Sequence, residues 1–501
     1  MALPHLPAEP FLSRSPRAIL IIGCSLLWLA SFPPLHLLVP PFIALVPFVW
    51  LLTRETRPRA AALVGFLTGL GANVLVMHWL PTTLWRHTPW ALVLSILLIV
   101  LASIGWGLVG WVVVLVWHRS PRLPRWFVFA ASWTAYEVLL DHLGPWSFPW
   151  LGLGVSLTGT PVLIQVADLA GTAGITFWLA AVNGVIADAV THRLHSGLAA
   201  VAVTGSLAMV WGYGYVRESN LVVRELGSVA LIQPNVGYDE KLGGDHDRIV
   251  EQAIRQTEAD VPPGSVDLIV WPETSLPAPL PRHREWAASL AATAARQATP
   301  LLVGALTEDE AGSFGNGALI VSVEGGGEGE EWHTVYVKRR LVPVTERWLE
   351  PGTAAALVAT PLGMAGVTIC YESIFPDPFR RYRGAGSDLA IVITNDAWFG
   401  RTGGAAQHAA HTIVRAVETR QPVIRAANSG YTFVVPPTGR VTRRTRLFER
   451  TTLVASVPGG VPPPIFVRWG WSFGYAVLVA VLVMLASAVY PKWSTQTADG
   501  S

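Results

Sequence analysis

From about Arg17 to Val216 the chain is a series of apolar stretches, each near the ~20 residues that cross a bilayer as a helix, with short polar or proline-containing breaks between them. The pattern predicts seven spans, at approximately 17–33, 35–53, 60–80, 91–117, 125–141, 162–190 and 197–215. Pro33, Pro34, Pro40 and Pro41 blur the first pair. An eighth span follows at about 471–490. In between, the apolar runs shorten to strand length and most of the acidic residues gather. The expected organisation is a membrane domain over residues 1–216, a water-soluble domain over 217–468, and a C-terminal span with a short tail over 469–501.

Inside the soluble segment, β-branched runs predict strands at Val229 to Gln233, Leu268 to Trp271, Leu301 to Leu306, Ala318 to Val323, Val335 to Val337, Gly366 to Cys370, Ala390 to Thr394 and Thr432 to Val435. Helices fit at about 244–259, 283–297 and 405–420, which argues for a layered α/β fold. Gly325-Gly-Gly327 with Glu328, Glu330 and Glu331 reads as a hairpin turn, and the residues after Pro491 as a disordered tail.

The first apolar stretch runs into further spans without a clear small-residue cleavage site, so it is expected to remain a membrane helix. Basic residues set the orientation. Arg14 and Arg17 precede span one, Arg54, Arg57 and Arg59 follow span two, Arg119, Arg122 and Arg125 follow span four, and Arg193 follows span six. The intervening loops hold only Arg86 within 81–90 and no Lys or Arg within 141–160. The soluble domain is therefore expected outside: on the periplasmic face of an inner membrane in a bacterium with two, with both termini cytoplasmic.

Composition agrees with a membrane protein. Hydrophobic residues make up 51% and charged residues only 14%, against about 25% charged in an ordinary soluble domain. The balance of 36 Lys+Arg against 34 Asp+Glu leaves no basic surplus for neutralising phosphates, so nucleic acid is not an expected partner. Many of the 22 tryptophans, among them Trp79, Trp85, Trp90, Trp146, Trp150, Trp469 and Trp471, lie near span ends and suit interfacial anchoring. His408 and His411 share a helical face without an accompanying Cys or carboxylate set, so no metal or other cofactor is expected.

Three strand ends carry reactive side chains: Glu273, Lys338 and Cys370. Taken singly, each has a plain alternative: a turn carboxylate, a surface charge, a small buried hydrophobe. Together they make a workable set for acyl transfer. The carboxylate can take the thiol proton, while the ammonium favours thiolate and steadies the oxyanion. Lys338 is informative because the chain otherwise uses arginine almost throughout, its only other lysines being Lys241 and Lys492. A guanidinium could not exchange a proton as a compact ammonium can.

These residues resemble those of the Glu-Lys-Cys nitrilase superfamily and, within it, the bacterial apolipoprotein N-acyltransferase family. The resemblance rests on Trp271-Pro-Glu-Thr-Ser-Leu-Pro277, Tyr336-Val-Lys338 leading into Leu341-Val-Pro343 and Glu346, Cys370-Tyr-Glu372, and Asn395-Asp-Ala-Trp-Phe-Gly400 followed by Gln407-His408. In the membrane part it includes Phe148-Pro-Trp-Leu-Gly-Leu-Gly154 and Gly65-Phe-Leu-Thr-Gly-Leu-Gly71 with His78-Trp79. It implies a multi-span α-helical membrane domain plus an α/β nitrilase-like domain, an α-β-β-α sandwich. It also implies Glu273 as general base, Lys338 as thiolate and oxyanion partner, Cys370 as acylated nucleophile, and Glu346 and Glu372 as supporting carboxylates that orient the reacting groups. Tyr371 and Trp398 resemble residues lining the site, with aromatic packing as the alternative. Val344-Thr345 stand where the family typically has Phe-Gly, and Gln233-Pro-Asn-Val236 varies from Gln-Gly-Asn-Ile, which bears on loop conformation.

The implied reaction passes an acyl chain from a phospholipid to Cys370 as a thioester. It then passes to the α-amino group of a diacylglyceryl-cysteine on an apolipoprotein, the enzyme acting as a monomer among membrane lipids. Two other readings remain at this stage. One is a membrane-tethered carbon-nitrogen hydrolase using water as acceptor. The other is a transporter or scaffold, for which Glu137, Asp141, Asp168 and Asp188 are the intramembrane charges.

Overall fold

The computed structural model describes residues 14–323 and 332–489, so the segment 325–331 and the tail after Pro491 lie outside the described residues. The first part is helical: α1 (Arg14–Ser31), α2 (Val46–Thr53), α3 (Pro58–Val76), α4 (Leu80–Leu84), α5 (Ala91–Arg119), α6 (Arg125–Asp141), α7 (Pro161–Ile164), α8 (Ala167–Val190) and α9 (Ser196–Asn220). The second part carries α10 (Tyr238–Leu242), α11 (His246–Asp260), α12 (Arg284–Gln297), α13 (Pro376–Gly384), α14 (Gly404–Thr419) and α15 (Ile465–Trp469), and the chain closes with α16 (Ser472–Val489). Among the described residues, α3, α5, α8, α9 and α16 are long and apolar enough to cross a membrane.

Two of the expected spans are broken. Residues 35–53 do not form one helix: a 3-10 turn at Pro40–Phe42 precedes the eight-residue α2. Proline lacks an N–H and restricts the residue before it, so the paired prolines interrupt the ladder. Residues 162–190 divide into α7 and α8, and α8 itself breaks at Gly171, where φ is +66° and a Cβ would lie 2.5 Å from the Phe466 ring. Only glycine fits there. Elsewhere the helices pack closely: a Cβ on Gly65 would meet the Trp106 carbonyl oxygen at 2.4 Å, so α3 and α5 approach through a small-residue face. Trp28, Trp106 and Trp133 stack edge to face in the centre of the bundle.

The second part is a sandwich of two sheets. The strands are β1 (Arg224–Gln233), β2 (Leu268–Val270), β3 (Leu301–Glu308), β4 (Phe314–Val321), β5 (Trp332–Val337), β6 (Leu357–Thr360), β7 (Gly363–Ile369), β8 (Leu389–Thr394), β9 (Val423–Ala427), β10 (Phe433–Val435) and β11 (Thr451–Gly459). One sheet has the order β11-β1-β2-β3-β4-β5 and the other β10-β9-β8-β7-β6. Their centres, β1-β2-β3 and β7-β8-β9, are parallel.

Side-chain alternation along the strands builds the layers. Val229 and Leu231 of β1 face Val367, Ile369, Ile391 and Ile393 of the other sheet. Ala230 and Ile232, pointing the opposite way, pack with Trp286 and Leu290 of α12 and Val250 of α11. On the far side, Phe379 of α13 and Ala409 and Ala416 of α14 cover Ala390, Val392 and Val423. The result is the α-β-β-α arrangement expected from the sequence.

Helix α14 joins the two parts. Its Ala410, Val414 and Val417 belong to the core of the helical bundle. At the same junction the backbone N–H of Thr172 donates to Glu418 (2.8 Å), and Asp168 is bridged by Arg420 and Arg217, each at 2.8 Å. Glu137 accepts bonds from Trp133 Nε1, the Leu153 N–H and Thr176 Oγ1. Of the intramembrane carboxylates considered above for transport, Asp168 is thus engaged at the junction and Glu137 within the helical bundle. Gln407 occupies its centre: Trp79 Nε1 and Trp150 Nε1 both donate to its Oε1, at 2.9 and 2.8 Å. Trp79, Trp150 and Trp471 are buried, which corrects the expectation that they are interfacial anchors, whereas Trp85, Trp90, Trp146 and Trp469 are exposed.

Candidate active site

Three strand ends converge between the sheets. Glu273 follows β2 through Trp271-Pro272, Lys338 follows β5 directly, and Cys370 begins the 3-10 turn after β7. The expected strand over 366–370 therefore ends one residue early, and Cys370 turns out of it with φ +51°, the left-handed region. A non-glycine residue held there is unusual and redirects the side chain from the sheet into the cleft. All three residues are buried, Cys370 retaining the most exposure at 8%.

Glu273 is held at both oxygens. Oε1 accepts from Asn316 Nδ2 (2.7 Å) and Lys338 Nζ (3.3 Å), and Oε2 accepts from the Asn395 backbone N–H (2.7 Å). Lys338 Nζ donates more closely to Glu346 Oε1, at 2.6 Å, while Glu346 Oε2 accepts from the Val342 N–H at 2.6 Å. Burial alone would lower the Lys338 pKa, but the carboxylates of Glu346 and Glu273 outweigh it and hold the ammonium well above its ordinary value. The Cys370 thiol is pushed up by burial and by the charge of Glu273, against the smaller opposing pull of Lys338. The resting thiol thus keeps its proton, and a carboxylate fixed as an acceptor stands in the same charge cluster.

Glu372 is bonded mainly to backbone on two sides of the site. Its Oε1 accepts from Tyr336 Oη (2.7 Å) and the N–H groups of Arg339 (2.9 Å) and Arg340 (3.1 Å), and its Oε2 from the Ile369 N–H (2.8 Å). It ties the backbone after Lys338 to the backbone before Cys370. Tyr371 Oη donates to the Ser147 carbonyl at 2.6 Å, joining the Cys370 turn to the loop after α6. Trp398 is half-buried, with its ring 4.7 Å from that of His87 in the loop after α4.

Sequence reasoning had not assigned Asn316, Asn395, Asp396, His408 or Arg425 to the site. His408 Nε2 lies 3.1 Å from the Cys370 carbonyl oxygen, and its Nδ1 lies 2.8 Å from Asp396. Arg425 donates to Asp396 at 2.8 Å, and with His408 it holds the Asp396 carboxyl below its usual range although burial opposes this. The signal was partly present, since Asn395-Asp396 and Gln407-His408 stand in the motifs, but Arg425 lies in a separate strand.

Two family models cover the chain: the N-terminal domain of apolipoprotein N-acyltransferase matches residues 24–185, and carbon-nitrogen hydrolase matches residues 228–461. The apolipoprotein N-acyltransferase of Geobacter metallireducens is 30% identical over 500 residues, spanning 92% of this chain and 93% of the relative. This chain belongs to the apolipoprotein N-acyltransferase family. The Gloeobacter violaceus apolipoprotein N-acyltransferase is likewise 30% identical, over 93% of this chain and 92% of its own length. Among solved structures, an amidase from Nesterenkonia sp. aligns with 52% of this chain and 98% of its own, at 18% identity and a TM-score of 0.38. Membership in the apolipoprotein N-acyltransferase family makes the protein a membrane-associated enzyme of the carbon-nitrogen hydrolase type, and the three strand-end residues all fall inside the segment matched by that hydrolase model.

Proposed function

We propose that the protein transfers a fatty acyl chain from a phospholipid to the α-amino group of the N-terminal diacylglyceryl-cysteine of apolipoproteins, through a thioester on Cys370. The observation that carries this is the grouping of Glu273, Lys338 and Cys370 in one buried charge cluster between the two sheets. Glu273 takes the thiol proton as Cys370 Sγ attacks the ester carbonyl of the donor. Lys338, held protonated by Glu346 and Glu273, balances the oxyanion. The C–O bond then breaks, Glu273 returns the proton to the departing glycerol oxygen, and a lysophospholipid leaves. In the second step the lipoprotein amine attacks the thioester, Glu273 accepts its proton, and the released thiolate is reprotonated.

Both substrates are anchored in a bilayer, and the five helices among the described residues that are long and apolar enough to cross a membrane support this reading. The arginine distribution in the loops supports an inner-membrane location with the catalytic domain on the periplasmic side and both termini cytoplasmic. Glu346 supports Lys338, Glu372 supports the two backbones, and Tyr371 and Trp398 line the approach from the membrane loops.

The test is peptide mass spectrometry of the purified protein incubated with phospholipid alone, comparing wild type with Cys370→Ala. A fatty-acyl mass on the Cys370 peptide, discharged by a diacylated lipopeptide, is expected. Discharge by water without the lipopeptide would make the protein a hydrolase instead.

A further inference from the structure

Lys241 is a second cation beside Glu273, and the mechanism above gives it no part. It lies in α10, a five-residue helix tied to the loop after α4 by the Arg86–Asp239 ion pair. Its Nζ donates to the Thr274 carbonyl oxygen at 2.9 Å, to Thr274 Oγ1 at 3.0 Å and to the Glu273 carbonyl oxygen at 3.3 Å. An ammonium has three donors, and here all three are directed at the turn that carries Glu273.

That turn needs holding, because Thr274 sits at φ +50°, a conformation a non-glycine residue rarely adopts. The sheet secures one side of it. Trp271 N–H donates to the Leu302 carbonyl (2.8 Å) and Leu276 N–H to the Gly304 carbonyl (3.0 Å). The backbones also run so close that a Cβ on Gly304 would lie 2.3 Å from the Pro272 carbonyl oxygen. The carbonyls of Glu273 and Thr274, on the turn itself, are the ones that Lys241 receives.

We infer that Lys241 is a positioning residue for the general base: its ammonium holds the Glu273–Thr274 turn and places a positive charge beside the Glu273 carboxylate. The inference rests on the reading of Glu273 as the base. The polar and charged groups facing Glu273 are Lys338 from the end of β5, Glu346 from the following loop, Cys370 after β7, Asn316 of β4, the Asn395 N–H after β8, and Lys241. Lys241 thus bonds the backbone of Glu273 while Lys338 bonds its carboxylate. Burial brings Lys241 down to about 8 against the pull of Glu273, as expected for an ammonium held close to the site.

The test is the pH profile of single-turnover acylation of Cys370 by phospholipid, measured on the intact detergent-solubilised protein. Lys241→Met, folded by its thermal transition, is expected to slow acylation at least about 10-fold at neutral pH and to move the acidic limb up by about one unit. Lys241→Arg, which keeps the charge in a different shape, restores the limb but not the full rate. A purely structural lysine would move the thermal transition and leave the acidic limb in place. If Lys241→Met does not fold, Lys241→Gln keeps two N–H donors without the charge and shows the same limb shift with a smaller rate loss. An unchanged rate and limb in the folded variant overturns the inference. Glu273→Gln is the separate control: wild-type acylation there overturns the reading of Glu273 as base, whatever Lys241 does.

Discussion

Lys338 Nζ lies 2.6 Å from Glu346 Oε1, closer than its 3.3 Å approach to Glu273. The lysine is therefore held more closely by Glu346 than by Glu273, whose Oε2 is bonded to the neutral Asn395 N–H. Replacing Glu346 by Gln removes the charge and leaves Lys338 to draw on Glu273 alone. A buried charge-assisted hydrogen bond contributes about 1.5–3 kcal/mol, so acylation of Cys370 should fall about 10- to 150-fold in Glu346→Gln, read by single-turnover mass spectrometry. A rate within 2-fold of wild type would show that Glu273 holds Lys338 by itself.

Among the described residues Glu372 accepts hydrogen bonds from Tyr336, Arg339, Arg340 and Ile369, and none from Lys338 or Cys370. Its loss is expected to appear first as instability. Glu372→Ala strands the N–H groups of Ile369, Arg339 and Arg340, and each unsatisfied buried donor costs about 1–3 kcal/mol. The thermal transition of the solubilised protein should drop by several degrees or the protein fail to accumulate, whereas Glu372→Gln, which keeps a carbonyl acceptor, should be intermediate. Normal stability with lost acylation in Glu372→Ala would instead assign it to the chemistry.

Burial raises the Cys370 pKa, and the charge of Glu273 raises it further. Removing that charge therefore lowers it, so Glu273→Gln should do two opposite things. Lipid acylation should be abolished, while alkylation of Cys370 by iodoacetamide between pH 8 and 9 should accelerate about 10-fold, because more of the thiol is ionised. The wild-type alkylation rate should still be rising at pH 9. A plateau reached below pH 7 would mean that the thiolate is already formed at rest.

Much of this arrangement was legible in the sequence because strand ends are local features. Glu273, Lys338 and Cys370 each follow a β-branched or apolar run, and turn residues mark where the run stops. What escaped was what tertiary packing decides. Strand β9 is not evident from the pattern because Arg425 interrupts its apolar run, and that arginine is buried against Asp396, in the 3-10 turn after the neighbouring strand β8. Trp79 and Trp150 read as interfacial anchors because a sequence does not reveal that both indoles converge on Gln407. The departure at Val344-Thr345, in contrast, pointed to an unusual loop: Val344 adopts φ +75°, a left-handed conformation that its β-branched side chain disfavours.

That strain has a measurable consequence. Val344 lies two residues from Glu346, in the loop whose Val342 N–H binds the same carboxylate. Glycine adopts positive φ without the Cβ clash, which costs roughly 1–2 kcal/mol in the left-handed region. Val344→Gly therefore removes strain but frees the unfolded chain, an entropic loss of about 0.5–1 kcal/mol, so stability should rise by up to about 1 kcal/mol or hold level. Acylation should be unchanged, because the bond that Lys338 donates to Glu346 is untouched. A drop in stability would mean that the Val344 side chain contributes packing that exceeds its backbone cost.

Gln407 offers the sharpest test of how the two parts are coupled. Its carboxamide accepts from Trp79 and Trp150 and donates to the carbonyls of Pro33 and Val76, both at 3.2 Å. One side chain of the catalytic domain thus satisfies partners from three separate regions of the bundle. Gln407→Ala leaves two buried indole donors and two carbonyls unpaired, a loss of about 2–4 kcal/mol if water reaches only some of them. Gln407→Glu is the more telling variant, because it keeps the acceptor oxygen for both indoles while replacing the bonds to Pro33 and Val76 by a carboxylate oxygen facing two carbonyls. If the indoles dominate, Gln407→Glu should stay nearer wild type than Gln407→Ala in the thermal transition and in hydrogen exchange at residues 76–80. If both variants fall equally, the carbonyls or the cost of a buried carboxylate governs the junction.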